Sequence, residues 1–295
     1  MPAASEHDVY SFEPFTRHRF YDDVNRALAE EGIRRLPSPS AAGRTIVDLS
    51  CGTGAMTLMV IEALRRRGLD ATVIGVEPSS DALARAESRV AGAGMGVRFV
   101  QGGASDLAGT LPGAVDAVFF GNAIHLVDDK DEVLRQIAGV LAPAGVFAFN
   151  SAFFEGAYAP GSERYYRLWT VRAIRWLRRE HAHVRLSREA KAAARRWLSQ
   201  DEYETSLQRH GFDVRHSALD EVHMDLASFQ DIGRYWLFIE GALPGVPLAA
   251  GAEALEHGAA EAFEELGLEY VPRNWLQVVA SLGRAASPEH GATPA

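Results

Sequence analysis

The 295-residue chain has little cysteine, no excess of positive charge and no long hydrophobic run. Its one thiol, Cys51, cannot form a disulfide within the chain, which fits a reducing, cytoplasmic compartment. The formal net charge of −9 argues against a generally basic nucleic-acid-binding protein. No run of about 18 uncharged apolar residues is present, so we expect no transmembrane helix. The first ten residues carry acids and no apolar core, so we also expect no signal peptide.

Short apolar segments alternate with amphipathic ones in the first half of the chain, which predicts an α/β fold with a parallel sheet covered by helices on both faces. The pattern changes after residue 150, and residues 158–200 are predicted to be almost wholly helical. No internal repeat is present. We expect five segments: an N-terminal helical preface or lid (1–43), the nucleotide-binding core (44–152), a helical lid insertion (153–200), the C-terminal part of the sheet with inserted helices (201–283) and a disordered tail (284–295).

The segment IVDLSCGTGAMT, residues 46–57, ends a predicted strand in two glycines, Gly52 and Gly54, with Asp48 just before them. In a parallel sheet, ligands bind at the carboxyl ends of the strands. Glycine permits a positive φ and lets a ligand approach the backbone closely. The N–H groups at the start of the following helix favour an anionic group. The loop therefore predicts a nucleotide-like ligand, without specifying which.

Three further features narrow the choice of ligand. Thr57 stands where the dinucleotide-binding fingerprint has its third glycine, which disfavours a nicotinamide oxidoreductase. Glu77 ends the next strand, 23 residues after Gly54, and is placed to accept both hydroxyls of a ribose. Asp48 can hold an ammonium group, directly or through water. S-adenosylmethionine, an adenosine with a zwitterionic amino-acid tail, would meet all three conditions.

The motifs VDLSCGTG and VIGVEPSSDAL resemble those of the class I, seven-stranded, S-adenosylmethionine-dependent methyltransferases of the small-molecule type, closely over about residues 44–152 and more loosely beyond. The resemblance implies a doubly wound, mostly parallel seven-stranded sheet with an antiparallel last strand and a helical lid. It implies S-adenosylmethionine as the cofactor. The cofactor-binding residues would be Asp48, Ser50 in place of the first glycine, Gly52, Gly54, Glu77, Pro78 beside the adenine, Ala104, Ser105 or Asp106 at its amino group, Asn122, and Tyr21 over the tail.

Methyl transfer from a sulfonium needs alignment and exclusion of water, and it needs a base only if the acceptor must lose a proton. His125, just after the fourth strand, is the candidate base, and a packing or hydrogen-bonding role is its alternative. Cys51 is a poor nucleophile candidate and argues against a thiol-based metal site, so no metal is expected. The candidate acceptor-binding residues follow the fifth strand: Phe154, Glu155, Tyr158 and Tyr166, with Phe153 beside them.

The segment 164–196 is unusually basic, with eleven Arg or Lys against two Glu. On a helical wheel its apolar residues share one face, opposite four arginines. A packed amphipathic helix with a solvated basic face would explain this pattern. An anionic acceptor, a second copy of the chain or an anionic membrane surface would also explain it. The apolar residues are Tyr166, Trp169, Ala173, Trp176 and Leu177, and the arginines are Arg164, Arg167, Arg175 and Arg178.

The sequence therefore predicts a cytoplasmic methyltransferase that acts on a small aromatic, amphipathic or anionic metabolite, as in a specialised pathway. The acceptor atom is left open. One rival is an RNA methyltransferase that uses the basic segment, although no RNA-binding module accompanies it. A second rival is a non-catalytic, S-adenosylmethionine-binding regulator, which Gly103 in place of the family's usual adenine-binding acid would allow. Oligomerisation and peripheral membrane contact are left open.

Overall fold

A computed structural model of the chain describes residues 9–38, 43–111, 113–187 and 197–283. The predicted disordered tail, part of the linker that precedes the core and the last nine residues of the basic segment lie outside these described residues.

In the described part of the chain, seven strands form one sheet with the order β3-β2-β1-β4-β5-β7-β6. Strands β1 to β5 are parallel, and β7 pairs antiparallel with both β5 and β6. The predicted fold class is therefore confirmed, including the antiparallel last strand. The strands are β1 (Thr45–Leu49), β2 (Thr72–Glu77), β3 (Gly96–Gln101), β4 (Val115–Phe120), β5 (Leu141–Ser151), β6 (Phe212–Met224) and β7 (Val271–Leu282).

Helices cover both faces of the sheet. α1 and α2 pack their apolar sides on one face, and α5 and α7 pack on the other. Helices α6, α8, α9 and α10 form a separate layer with its own core. The helices are α1 (Arg19–Arg34), α2 (Ala55–Arg66), α3 (Ser80–Val90), α4 (Leu107–Thr110), α5 (Lys130–Val140), α6 (Glu163–Glu180), α7 (Gln200–Arg209), α8 (Leu226–Gly233), α9 (Trp236–Ala242) and α10 (Leu248–Leu266).

The central strands are continuous apolar runs because both of their faces are covered. Every residue of β4 is buried, and so are four of the five residues of β1. Because β1 to β5 are parallel, their carboxyl ends lie at one edge of the sheet. That edge carries the turns after β1, β2, β4 and β5, which hold most of the predicted site residues.

The helical layer is built around α6 and α10. The indole N–H of Trp169 in α6 donates to the carbonyl of Leu255 in α10 at 2.7 Å. Gly258 lets the two helices approach closely, since a Cβ at that position would lie 2.6 Å from the backbone nitrogen of Ala173. None of the helices in the described ranges is both apolar enough and long enough to cross a bilayer.

The N-terminal helix follows a short turn, and the basic helix is shorter than predicted. α1 begins at Arg19 because Pro14 opens a single 3-10 turn, Phe15–Arg17, which precedes it. α6 ends at Glu180, and residues 181–187 are not helical. The expectation of nearly continuous helix over 158–200 is therefore wrong for the described residues. The predicted faces of α6 are confirmed, because its apolar face is buried and the four arginines predicted to lie opposite, Arg164, Arg167, Arg175 and Arg178, are exposed.

Candidate functional site

The turn after β1 is held in left-handed backbone conformations. Gly52 and Gly54 have φ of 53° and 81°, and Ser50 has φ of 53°. A left-handed conformation costs a non-glycine residue about 1 kcal/mol, so Ser50 is locally strained, a feature that often marks functional turns. A Cβ at Gly54 would lie 3.0 Å from Cα of Ala86, so the turn also packs tightly against α3. Cys51 is buried within this turn.

Asp48 places a carboxylate beneath this turn. Its side chain is 1% exposed, and the hydroxyl of Thr57 donates to Oδ2 at 2.5 Å. Oδ1 is buried and has no hydrogen-bond partner among the described residues. Burial raises the pKa of Asp48 to about 7. The hydrogen bond from Thr57 lowers this pKa, and the charge of Glu77 raises it by less than burial does. A buried carboxylate oxygen that lacks a donor is suited to an external cation or a water molecule.

Glu77 connects the turn to the end of β2. Oε2 accepts the backbone N–H of Gly52, and Oε1 accepts that of Ser79, both at 3.1 Å. Burial raises the pKa of this carboxyl, although the two hydrogen bonds lower it. Each oxygen retains a lone pair for a further donor. The structure therefore brings both predicted strand-end acids next to the same turn.

Replacing Glu77 by Ala is expected to weaken S-adenosylhomocysteine binding by more than about 1 kcal/mol, the scale of one lost charged hydrogen bond. The turn would also lose the acceptor that holds its Gly52 N–H. Isothermal titration calorimetry measures the change. Glu87→Ala, at an exposed position of α3, is the matched control and should bind as the wild type does. Equal affinities for all three proteins would refute the assignment of Glu77.

The predicted adenine-side residues lie at the ends of β2 and β3. Nε2 of Gln101 donates a hydrogen bond to the carbonyl of Pro78 at 2.8 Å. Ala104 packs against the core, and Ser105 is exposed. Asp106 caps α4, where its Oδ1 accepts the backbone N–H of Gly109 at 3.3 Å. These positions share one edge of the sheet with Glu77, and their roles stay predictions.

A chain of buried asparagines connects α1 to the ends of β4 and β5. Asn25 donates to the carbonyl of Tyr21 at 2.7 Å, and Asn150 donates to Oδ1 of Asn25 at 3.0 Å. The backbone N–H of Asn122 donates to Oδ1 of Asn150, and Oδ1 of Asn122 accepts the N–H of Ala152, both at 2.8 Å. Nδ2 of Asn122 is buried without a partner among the described residues. The sequence suggested Tyr21 and Asn122 but gave no sign of Asn25 or Asn150.

Tyr21 is buried near Asp48 rather than exposed to solvent. Burial, and then the charge of Asp48, raise the pKa of its phenol above the usual range. Its ring contacts Phe12, Phe15 and Trp275. The N-terminal aromatic residues therefore pack as one cluster over the first turn of α1.

His125 is nearly buried, at 8% exposure, just after β4. Its Nδ1 lies 3.1 Å from the hydroxyl of Ser151, and its ring centroid lies 4.5 Å from that of Phe153. The Ser151 hydroxyl has one proton, and the Phe153 carbonyl is 3.2 Å away. If the hydroxyl donates to that carbonyl, Nδ1 of His125 carries a proton and Nε2 is the basic nitrogen. This arrangement is compatible with the predicted role as a base.

The predicted acceptor-binding residues separate into two groups. Phe154 is 1% exposed and packs in the core of the sheet, whereas Glu155 is exposed and bonds through its backbone N–H to the carbonyl of Leu198. Tyr158 and Tyr166 stack with their ring centroids 4.0 Å apart. Their roles stay predictions, but the geometry groups these two tyrosines with Phe153 and His125.

Arg273 in β7 is a neighbour that the sequence did not single out. It is 5% exposed, and its Nη1 donates to the phenol oxygen of Tyr166 at 3.0 Å. An arginine in a strand-like segment carries no signal of this environment, because its partners are distant in sequence.

A surface cavity of about 740 Å³ lies between the start of α1 and β6. None of the predicted cofactor or acceptor residues lines it. Its walls include several acids, among them Asp23, Asp220, Glu221 and Asp225. Cavity size therefore does not locate the candidate site, whereas the left-handed turn and the buried Asp48 do.

Comparison with known proteins agrees with this geometry. Residues 46–145 match the sequence model of a methyltransferase domain. The chain is 34% identical over 135 residues to a trans-aconitate 2-methyltransferase of Variovorax paradoxus, covering 45% of this chain and 47% of that protein. It is 34% identical over 112 residues to a ubiquinone biosynthesis O-methyltransferase of Methylococcus capsulatus, covering 38% and 45% respectively. The chain thus spans about half the length of the curated relatives it matches.

The fold is shared over a greater length. A SAM-dependent methyltransferase from Geobacter sulfurreducens, solved in complex with S-adenosylhomocysteine, superposes with a TM-score of 0.53 at 18% identity. The superposition covers 91% of this chain and 97% of that one. At this identity, the likeness concerns the fold. The matched domain and the strand order show that the chain carries a methyltransferase domain on the fold of the class I, S-adenosylmethionine-dependent methyltransferases.

Proposed function

We propose that the chain is an enzyme that uses S-adenosylmethionine to methylate a small-molecule acceptor. The observation that carries the proposal is the buried Oδ1 of Asp48, which has no donor among the described residues and lies beneath the glycine turn. A carboxylate oxygen in that position is suited to the ammonium group of the cofactor, directly or through water.

The other residues of the turn fit the remaining parts of this cofactor. Glu77 has lone pairs left on both oxygens for ribose hydroxyls. The start of α2 after Gly54 favours the carboxylate of the amino-acid tail. When bound, S-adenosylmethionine supplies an electrophilic methyl group on a sulfonium. The chain's own residues align the acceptor, exclude water and, where needed, take its proton.

His125 is the residue we assign to the proton. Ser151 orients its ring, and the ring of Phe153 packs against it. The variant His125→Gln would keep part of the hydrogen bonding and packing of this side chain, but it would have no basic nitrogen to take the proton. The trans-aconitate 2-methyltransferase and the ubiquinone biosynthesis O-methyltransferase that the chain resembles are named for small organic molecules, which supports a small-molecule acceptor rather than RNA.

His125→Gln is expected to lower kcat at least tenfold on a phenolic acceptor, because the phenol must lose its proton during transfer. The affinity for S-adenosylhomocysteine should stay within about twofold of the wild type. Steady-state kinetics across pH, with calorimetry for binding, measure both quantities. An unchanged kcat on such an acceptor would assign His125 to packing.

The proposal is tested by calorimetry followed by a turnover assay. S-adenosylhomocysteine should bind with micromolar affinity and NADH should not bind. Transfer of a tritiated methyl group is then measured with trans-aconitate, catechol, 3,4-dihydroxybenzoate and total tRNA. Labelling of a small molecule supports the proposal. Labelling of tRNA alone would favour the RNA rival through the exposed arginines of α6. Cofactor binding without any labelling would favour the regulator.

A further inference from the structure

Arg273 is a buried cation without a carboxylate partner. Its Nε donates to the carbonyl of Ala152 at 3.0 Å, and Nη2 donates to the same oxygen. Nη1 donates to the phenol oxygen of Tyr166 at 3.0 Å. Among the described residues, no Asp or Glu oxygen forms an ion pair with this side chain. Both partners are neutral, so the charge itself is not compensated within the described part of the chain.

An uncompensated charge of this kind is costly. The effective penalty for burying an unpaired ion is several kcal/mol. Three rings reduce it, with Phe153, Tyr158 and Tyr166 centred 5.1, 5.5 and 5.5 Å from Cζ. Each such contact contributes about 0.5 to 2 kcal/mol. Packing alone would be served as well by an uncharged side chain, so the retained charge points to a ligand that is present only part of the time.

The guanidinium also has donors to spare. It carries five N–H groups, and the three hydrogen bonds above use one on each nitrogen. One N–H on Nη1 and one on Nη2 have no acceptor among the described residues. Two N–H groups on neighbouring nitrogens can match the two oxygens of a carboxylate.

The location of Arg273 connects it to the proposed transfer site. The ring of Phe153 contacts both the imidazole of His125 and the guanidinium of Arg273. The imidazole and the guanidinium are therefore separated by about the width of one aromatic ring and its contacts. Tyr158, at 42% exposure, brings the same aromatic group to the surface and gives a ligand a route to it.

We propose that Arg273 is a specificity-determining residue that binds a carboxylate of the methyl acceptor, with Phe153, Tyr158 and Tyr166 holding the flat or apolar part next to that carboxylate. The inference rests on the proposed function, since it names the acceptor class of the same site. An acceptor cation is disfavoured here, because Arg273 already occupies the space between the rings that a cation would need.

The test measures binding rather than turnover. Protein saturated with S-adenosylhomocysteine is titrated calorimetrically with benzoate, with the isosteric but neutral benzamide, and with trans-aconitate. We expect benzoate or trans-aconitate to bind and benzamide to bind at least tenfold more weakly. Arg273→Gln should weaken carboxylate binding at least tenfold without changing S-adenosylhomocysteine affinity. Arg273→Lys should restore part of it, because it keeps the charge and loses the paired donors.

Arg175→Gln is the matched control, because Arg175 is exposed on α6 and should leave carboxylate binding unchanged. If Arg273→Gln does not fold, the comparison of benzoate with benzamide on the wild type and the Lys variant still decides the question. Equal binding of benzoate and benzamide, no binding of either carboxylate, or carboxylate binding that survives in both Arg273 variants would overturn the proposal.

The two proposals fail in different ways. Loss of S-adenosylhomocysteine binding in the wild type would overturn the proposed function, whatever the carboxylates do. Cofactor binding and methylation of catechol, combined with no preference for carboxylates, would leave the proposed function standing and remove Arg273 from it.

Discussion

Asp48→Asn is expected to stabilise the ligand-free protein and, at the same time, to weaken S-adenosylhomocysteine binding at least tenfold. The carboxyl is fully buried, and burial raises its pKa to about 7 from an ordinary value of 3.8. The folded state therefore retains a proton that the unfolded state has already lost between about pH 4 and pH 7. Over this range, the free energy of unfolding decreases as pH rises. Asn retains an oxygen for the Thr57 hydroxyl and carries no charge.

At about pH 8 the Asn variant should therefore exceed the wild type in free energy of unfolding by about 4 kcal/mol, since the pKa is raised by about 3 units and each unit corresponds to about 1.4 kcal/mol. Below about pH 4 the two proteins should converge. Thermal denaturation as a function of pH measures the difference, and calorimetry measures the affinity. Asp70→Asn, at an exposed position just before β2, is the control and should change neither the stability nor the affinity for S-adenosylhomocysteine. A less stable Asn variant at pH 8 would show that Asp48 already has a cationic partner in the free protein.

Gly258→Val is expected to lower the free energy of unfolding by about 3 kcal/mol or more. A Cβ at this position would lie 2.6 Å from the backbone nitrogen of Ala173 and 2.9 Å from the carbonyl oxygen of Trp169. Both atoms belong to the backbone of α6, which cannot move as a side chain can. Inserting side-chain volume where the neighbours are backbone atoms forces the helices apart and costs about 1 to 3 kcal/mol or more. Val adds a branched side chain, so we expect the upper part of this range.

Urea denaturation measures this loss. Gly139→Val is the matched control, because Gly139 also lies within a helix and a Cβ there would have nothing within 4 Å. Gly258→Ala should be intermediate, since it adds the one clashing atom without its branches. Equal stability of the Gly258 and Gly139 variants would mean that α6 and α10 can separate without loss, and the packing described here would be wrong.

The parts of the fold that could be predicted from the sequence are those determined by local pattern. Continuous apolar runs marked the central strands because both of their faces are covered. Asp48 and Glu77 could be identified because the ends of parallel strands meet at one edge, and the structure places both around Gly52. The amphipathic pattern of α6 also predicted which face is buried.

The rest depends on contacts between distant segments. Arg273 bonds to Ala152 and Tyr166, both more than a hundred residues away, so its sequence neighbours give no sign of its partners. Thr57 was noted for the glycine it replaces, whereas its hydroxyl in fact holds Asp48. The prediction of helix over 158–200 did not take account of Gly161, whose φ of 89° lies just before the start of α6.

The buried thiol in the glycine turn has a practical consequence. Burial, and then the charges of Asp48 and Glu77, raise the pKa of Cys51 far above its usual range, so the closed turn presents almost no thiolate to a reagent. Alkylation by iodoacetamide in native buffer therefore requires the turn to open. Because the chain has one cysteine, the labelling rate reports the opening of this turn alone. When alkylation is slow relative to reclosing, this rate measures the equilibrium population of the open turn without any engineered label.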